Sequence, residues 1–254
     1  MTTTVMQLSQ RSQEWLRWAL VTSVPLRHLD EGGKPIGIAS GCLVVCAGRK
    51  FILSACHAVQ PESKGWAIEL GFDSEKGTEM YWPKAFSYMA EMQKGSGILD
   101  HVDFCFAEVA IDVESTYAHR TPYSVSDVRA RHIFGIEDFI EPNQTGIFAF
   151  AGEVKPEKHG PDAFATEMSV YPGLRFVRSE GAYHVFKLPV AHPGHDSFRG
   201  CSGAPIVDME GRVVALVTTG DQVTGTIRGV AISRAVTALT WYCNARDQSA
   251  KDRR

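Results

Sequence analysis

From about residue 36 onward, the chain consists of short apolar or alternating runs separated by glycine, proline and polar residues. Runs of this length, rich in β-branched and aromatic residues and bounded by turn residues, are typical of β-strands. Many short strands in succession predict an all-β fold. The predicted strands cover residues 41–45, 50–55, 67–72, 104–109, 146–151, 183–189, 205–207 and 213–218.

The two ends of the chain show helical spacing instead. Residues 8–20 predict a helical arm that packs on the body of the protein, and residues 232–246 predict a C-terminal helix, followed by a polar tail. The apolar positions that carry these predictions are Leu8, Trp15, Trp18 and Leu20 in the first helix, and Ile232, Ala235, Val236, Leu239 and Tyr242 or Cys243 in the second.

Two internal stretches contain no interpretable pattern. Residues 115–144 are predicted to connect two halves of the protein, and residues 153–178 are predicted to be mostly loop. The chain has no internal repeat and no low-complexity segment that would indicate a solenoid or a disordered region.

Composition and charge exclude several classes of function. The 254 residues are 44% hydrophobic and 22% charged, as in soluble globular proteins. A net charge of -3 supplies no basic field for phosphates, so no nucleic-acid partner is expected. No segment reaches the roughly 20 apolar residues of a membrane span, so no membrane partner is expected either.

The N-terminal region and the cysteines bear on the compartment. Polar and charged residues interrupt residues 7–17, which argues against a secretory signal. The six cysteines lie mostly within or beside apolar strands, which favours reduced, buried thiols. A cytoplasmic location is therefore predicted.

The most informative segment is the glycine-rich turn around Ser202, which runs from Asp196 to Pro205. Glycines allow backbone conformations and close approaches that a Cβ forbids. Such a turn would present the Ser202 hydroxyl as a nucleophile and direct the Gly200 and Ser202 amides toward an oxyanion. Tight turns between strands use the same residues, so this segment alone is weak evidence.

A nucleophilic serine also needs a base, and the base needs an acceptor that orients it. His57 follows the apolar run 50–55, and Asp103 opens the apolar run 104–109. Taken singly, His57 is more simply a structural histidine, and Asp103 more simply caps a turn.

Together, the order His, Asp, Ser and the local sequences resemble the chymotrypsin-like, or trypsin-like, serine peptidases. Ser54–His57 is similar to the family's Thr-Ala-Ala-His, Asp103–Phe106 to Asp-Ile-Ala-Leu, and Gly200–Pro205 to Gly-Asp-Ser-Gly-Gly-Pro. Ala215–Gly220 matches the strand at the edge of the substrate cleft, and Gly229–Ala231 the Gly-Val-Tyr behind the pocket. The resemblance covers about residues 37–242.

The resemblance implies two antiparallel six-stranded β-barrels with the active site between them, an N-terminal helical arm and a C-terminal helix. The implied domains are an arm at residues 1–25 and a peptidase domain at residues 26–254. Within that domain, the barrels cover about 26–120 and 140–231, and the helix covers about 232–246. Peptide-bond hydrolysis through an acyl-enzyme is the implied activity, with a protein or peptide substrate and no cofactor.

The same resemblance implies a specificity pocket. Asp196, six residues before Ser202, matches the carboxylate at the base of the trypsin pocket, which implies cleavage after Arg or Lys. Thr218 belongs to the cleft strand, and Gly220 and Gly229 match the pocket-wall glycines that leave room for a long side chain. The alternative for Asp196 is a loop residue that faces solvent.

Cys201 is a departure from the family. Zymogen-type members carry an aspartate at this position, and it pairs with a newly cleaved N-terminus. A thiol cannot replace that carboxylate, so activation by N-terminal clipping is not expected.

Two other interpretations of the site remain open: Cys201 as the nucleophile, and a zinc site that includes His192 and His195. At the level of function, the alternative is a non-catalytic or partner-activated binding module with the peptidase fold.

Overall fold

The computed structural model describes residues 9–60, 64–73, 75, 77–92, 97, 99–121, 124–158 and 164–252. Most of the described elements are strands, so the all-β prediction is confirmed. The helices are α1 Gln10–Thr22, α2 Cys56–Val59 and α3 Ile232–Lys251, with 3-10 turns at Ile136–Asp138 and His195–Phe198.

The first half of the chain forms one antiparallel sheet. Its spatial order is β5-β4-β1-β2-β3-β7-β6, and β10 adds to β2 in parallel. The strands are β1 Val24–Leu29, β2 Pro35–Cys46, β3 Arg49–Ser54, β4 Trp66–Asp73, β5 Gly77–Tyr81, β6 Ser87–Met92, β7 Leu99–Val109 and β10 Ile133–Gly135. The sheet therefore has eight strands where six were predicted, and one of them, β10, comes from the connecting segment.

The second half forms a closed barrel of six strands, as predicted. The order around the barrel is β11-β12-β13-β16-β15-β14, and pairing of β11 with β14 closes it. The strands are β11 Phe148–Lys158, β12 Phe164–Glu180, β13 Tyr183–Lys187, β14 Pro205–Asp208, β15 Val213–Asp221 and β16 Thr226–Ala231.

One sequence expectation was wrong. The described part of the stretch 153–178 is not loop but belongs to the paired strands β11 and β12. The sequence of this stretch is rich in charged residues, and the described residues of β12 are mostly exposed or half-buried, so it lacks the apolar alternation by which strands are recognised. The stretch 115–144, predicted to be a connection, contains β10 and a separate hairpin of β8 Thr116–Thr121 and β9 Ser124–Ala130.

A shared hydrophobic core joins the two halves of the protein. One buried cluster contains Phe51 and Phe104 from the first sheet, Val213 from the barrel, and Leu239 from α3. The C-terminal helix therefore packs where both halves meet, which explains its apolar spacing. Near the N-terminus, Trp15 of α1 donates from Nε1 to the carbonyl oxygen of Asp208 at 2.7 Å, so the helical arm packs on the barrel.

In the part of the chain that the structure describes, no helix has both the length and the apolar character that a membrane crossing requires.

Candidate active site

The first sheet brings His57 and Asp103 together. β3 leads through Ala55 into the single turn of α2, where His57 is the second residue, and Asp103 lies on β7, the neighbour of β3 in the sheet. The His57 amide donates to Asp103 Oδ1 at 2.9 Å, and His57 Nδ1 lies 2.6 Å from Asp103 Oδ2. Two contacts between the same residues fix both the position and the orientation of the imidazole.

The ionisation state of Asp103 determines the tautomer of His57. Partial burial opposes ionisation, but hydrogen bonds from the His57 side chain and from the His57 and Cys56 amides outweigh it, so the pKa of Asp103 is lowered. An ionised carboxylate only accepts hydrogen bonds, so Nδ1 carries the proton and Nε2 of the neutral ring is an acceptor. His57 Nε2 lies 3.0 Å from Ser202 Oγ, where it can take the hydroxyl proton.

The turn that carries Ser202 depends on two glycines. Gly200 has φ +103° and Gly203 has φ +90°, both in the region that favours glycine. A Cβ on Gly203 would overlap the Ser40 carbonyl oxygen and Ser54 Oγ, and one on Gly200 would overlap the Glu153 carbonyl oxygen. The glycines are therefore required both for conformation and for close packing of the turn against its neighbours.

The amides beside Ser202 are free to bind a substrate oxygen. Within the described residues, neither the Gly200 nor the Ser202 amide donates a hydrogen bond to another protein atom. The adjacent Cys201 amide, in contrast, donates to the Phe198 carbonyl oxygen at 2.9 Å. Two amides without a protein acceptor, on either side of one that is bonded, are what an oxyanion site requires before a substrate binds.

Cys201 lies beside the nucleophile position but points into the barrel. Its side chain is fully buried against Gly152, and burial raises the pKa of the thiol far above its ordinary value. Attack by Cys201 would need an exposed thiolate, so this geometry disfavours the cysteine-nucleophile interpretation. All six cysteines are free, and five of them are buried.

The specificity residues do not form an open slot. Asp196 is exposed on the 3-10 turn His195–Phe198. A Cβ on Gly229 would lie 2.9 Å from the Leu216 carbonyl oxygen, so this glycine serves close strand packing. At Gly220 the corresponding space is filled by His192 Nε2. Thr218 contributes its carbonyl oxygen, which lies 3.4 Å from Ser202 Oγ.

The loop histidines are held by protein contacts. His192 Nδ1 accepts from the Gly194 amide at 3.1 Å, and the rings of His192 and His195 are 5.7 Å apart. Across the residues that the structure describes, no group of three or more His, Cys, Asp or Glu side chains is arranged to hold a metal ion.

Sequence reasoning missed the residues that support the site. Ser40 on β2 contacts the Ser202 turn through both its amide and its hydroxyl, and the Asp103 amide donates to Tyr183 Oη at 3.1 Å. The Arg228 guanidinium lies over the Tyr183 ring at 3.9 Å. Ser40 and Tyr183 lie in ordinary strand sequence and carry no local signal of this role.

A buried ion cluster also went unnoticed in the sequence. Arg27 on β1 pairs with Glu69 on β4 at 2.6 Å and with Glu153 on β11 of the barrel. Burial opposes the charge of Arg27, but the two carboxylates outweigh it and raise its pKa, while the pKa of Glu153 is lowered mainly by Arg27 against the effect of burial. The cluster joins the two halves beneath the Ser202 turn, because the backbone of Glu153 contacts Gly200.

The comparisons with known proteins identify the fold. No protein-family model matches the chain, and no curated protein matches it. Among solved structures, the chain is similar to the active form of the Rv3671c protease from M. tuberculosis, with TM-score 0.53, 11% identity, and coverage of 94% of this chain and 91% of that one.

Two further structures have a comparable similarity. The serine endoprotease from Yersinia pestis matches with TM-score 0.52 and 11% identity over 92% of this chain, which spans 66% of the length of the Yersinia chain. Human heparin binding protein matches with TM-score 0.50, 12% identity, and coverage of 85% of this chain and 87% of that one. At these identities the likeness concerns the fold, and together with the barrel, the sheet and the C-terminal helix it shows that the chain has the fold of the chymotrypsin-like serine proteases.

Proposed function

We propose that the protein is a serine endopeptidase that cleaves protein or peptide substrates through Ser202, His57 and Asp103. The observation that carries this proposal is the continuous hydrogen-bonded series from Asp103 to His57 to Ser202, at 2.6 Å and 3.0 Å. A nucleophile, a base within reach of it and a group that orients the base are the three parts that acyl transfer needs.

In the proposed reaction, His57 Nε2 removes the Ser202 proton as Oγ attacks the peptide carbonyl carbon. Asp103 stabilises the imidazolium, and the Gly200 and Ser202 amides stabilise the oxyanion. His57 then donates its proton to the leaving amine, which leaves an acyl-enzyme on Ser202. Water activated by His57 hydrolyses that ester and restores the free hydroxyl. The protein residues supply every group in this sequence, so the proposal includes no cofactor.

A fluorophosphonate probe tests the assignment, since such probes react with activated serines. Ser202→Ala should abolish labelling of the full chain. Cys201→Ala serves as the matched control, because it changes the adjacent residue and leaves the triad in place, and it should retain labelling. Labelling that survives loss of Ser202 but disappears with Cys201 would contradict the proposal.

The finer proposal concerns cleavage after Arg or Lys, with Asp196 as the partner of the substrate cation. It is supported by the position of Asp196 six residues before Ser202. Asp196 also lies in the 3-10 turn His195–Phe198, which directly precedes the Ser202 turn. Because His192 fills the space beside Gly220, a long substrate side chain could enter there only after the imidazole moves. The specificity proposal is therefore independent of the triad and needs its own test.

A non-catalytic or partner-activated binding module is the second candidate. One solved structure with this fold is named as a heparin binding protein, so the fold is not restricted to proteins named as proteases. The complete hydrogen-bonded series at Ser202 favours catalysis, since binding alone has no chemical need for it. A wild-type chain that fails to react with the probe, but reacts after a partner is added, would support the partner-activated alternative.

A further inference from the structure

Ser40 connects the first sheet to the turn that carries the nucleophile. Its side chain is buried, with 1% of the residue exposed. The Ser40 hydroxyl donates to the Gly200 carbonyl oxygen at 2.7 Å, and its amide donates to the Ser202 carbonyl oxygen at 2.9 Å. One residue of β2 therefore holds the turn at both ends of the Gly200–Ser202 segment.

The hydroxyl bond restrains a peptide unit that follows a conformationally permissive glycine. Gly200 has φ +103°, and glycine resists rotation less than any other residue. The Gly200–Cys201 peptide is held on one side by Ser40 at its oxygen and on the other by Phe198, which accepts from the Cys201 amide at 2.9 Å. The Gly200–Cys201 peptide lies between the two peptides that carry the Gly200 and Ser202 amides, so loss of either bond would let it rotate and would change the orientation of those two amides relative to each other.

Ser40 is also tied to the strand that leads to the base. Its carbonyl oxygen accepts from Ser54 Oγ at 2.7 Å, and Ser54 is the last residue of β3, three residues before His57. Hydrogen bonds thus run from the end of β3 through Ser40 to Gly200 and Ser202. This arrangement sets the distance between the base and the nucleophile through buried contacts that solvent does not weaken.

We propose that the Ser40 hydroxyl is a positioning group that holds the Gly200–Cys201 peptide, and so the oxyanion amides, in the reactive arrangement. The inference rests on the proposed function of Ser202. It explains how the turn is ordered in a chain where Cys201 is buried and offers no carboxylate for an ion pair with an N-terminus. In this view, the neighbouring sheet rather than a cleavage event orders the active site.

The test compares Ser40→Ala with the matched control Ser115→Ala in the full chain. Ser115 is also buried, with 2% exposed, and its hydroxyl donates to the Glu69 carbonyl oxygen at 2.7 Å. Both changes remove one buried hydroxyl that donates to a backbone oxygen, but only Ser40 contacts the Ser202 turn. Burst kinetics with p-nitrophenyl acetate give the acylation rate and KM, and the burst amplitude counts the competent sites.

Ser40→Ala should lower the acylation rate per competent site by about a hundredfold and leave KM within about twofold, since an oxyanion donor acts mainly in the transition state. Ser115→Ala should leave both values unchanged. Equal acylation rates for the two variants, or a raised KM with an unchanged rate in Ser40→Ala, would overturn the inference while Ser202 remains the nucleophile. A wild-type chain with no burst and no fluorophosphonate labelling would instead overturn the proposed function, and this inference with it.

Discussion

At the scale of single residues, the site is built from groups whose environments assign their roles. Asp103 remains ionised because hydrogen bonds from His57 and Cys56 outweigh its partial burial, so it orients the imidazole of His57. Cys201, next to Ser202, is a buried thiol with a raised pKa and serves packing. The two neighbours in this turn differ because Ser202 Oγ lies beside His57, whereas the Cys201 side chain is buried in the core of the barrel.

The specificity prediction belongs to the same scale. Asp196→Ser should lower kcat/KM for arginyl substrates on the order of a hundredfold, because it removes a charge-assisted contact to the substrate cation. Substrates with apolar side chains should lose far less. The measurement is a peptide-library profile of the wild type and the variant. Asp221→Ser offers a control, since Asp221 is an exposed carboxylate that accepts from the Val223 and Thr224 amides of its own turn.

A profile that prefers large apolar or acidic residues on the acyl side, and that Asp196→Ser leaves unchanged, would remove Asp196 from the pocket. That result would not affect Ser202. It would instead direct attention to His192, whose Nε2 occupies the space beside Gly220.

At the scale of elements, strands from both halves of the protein meet beneath the Ser202 turn. Arg27 of β1 and Glu69 of β4 belong to the first sheet, whereas Glu153 belongs to β11 of the barrel. Charges buried this deeply are tolerated only when they are paired, and a partner left alone becomes costly. The pairing therefore makes the relative position of the sheet and the barrel specific.

Arg27→Met should destabilise the protein by about 3–5 kcal/mol, because it removes the cation that pairs directly with two buried carboxylates. Arg178→Met is the matched control: its pair with Glu180 is exposed, so a loss of at most about 1 kcal/mol is expected. Urea unfolding at neutral pH measures both. A loss for Arg27→Met no larger than for Arg178→Met would contradict a stabilising role for the cluster.

The pH dependence of the same cluster has a defined sign. Arg27 lowers the pKa of Glu153 in the folded state, so the unfolded chain binds a proton more readily at this residue. The stabilisation from Glu153 is present above the pKa of the unfolded chain, about 4.3, and disappears as the pH falls through the lower folded value. Urea unfolding of the wild type should therefore show stability declining over this acidic range, and in Arg27→Met this part of the decline should be smaller, with Arg131 still acting on Glu153.

At the scale of the whole molecule, the candidate site is assembled from two differently built halves. The sheet carries His57, Asp103 and Ser40, and the barrel carries Ser202 and the cleft strand β15. The shared core cluster includes α3, so this helix packs against both halves. Each half contributes part of the proposed site, and their packing brings the parts together.

This assembly leads to a prediction about activation. Cys201 cannot form the ion pair of zymogen-type enzymes, and Ser40 orders the turn from within the fold. The chain that begins at Met1 should therefore react with a fluorophosphonate as fast as any trimmed form. Intact-mass analysis of the labelled protein identifies which form carries the probe. Labelling confined to a product trimmed before β1 would show that cleavage activates the protein.

The sequence by itself determined the all-β class and the terminal helices, and it predicted the residues that we propose form the site. These features could be predicted because each has a local cause. Apolar and polar residues alternate along strands, apolar residues recur at helical spacing along helices, and Gly200 and Gly203 flank Ser202 in a tight turn. Features without a local cause were missed. The β11–β12 hairpin is too polar to show alternation, and β10 joins β2 only in the folded sheet.

Only the tertiary structure decided how the site is held. Ser40 and Gly200 are 160 residues apart, and Arg27 and Glu153 are brought together from different halves of the chain. Hydrogen bonds and ion pairs act over a few ångströms, so their energy depends on distances that chain folding alone creates. Local pattern therefore predicted Ser202 as the nucleophile and His57 as its base, whereas the packing of the sheet against the barrel determined the arrangement in which the two residues meet.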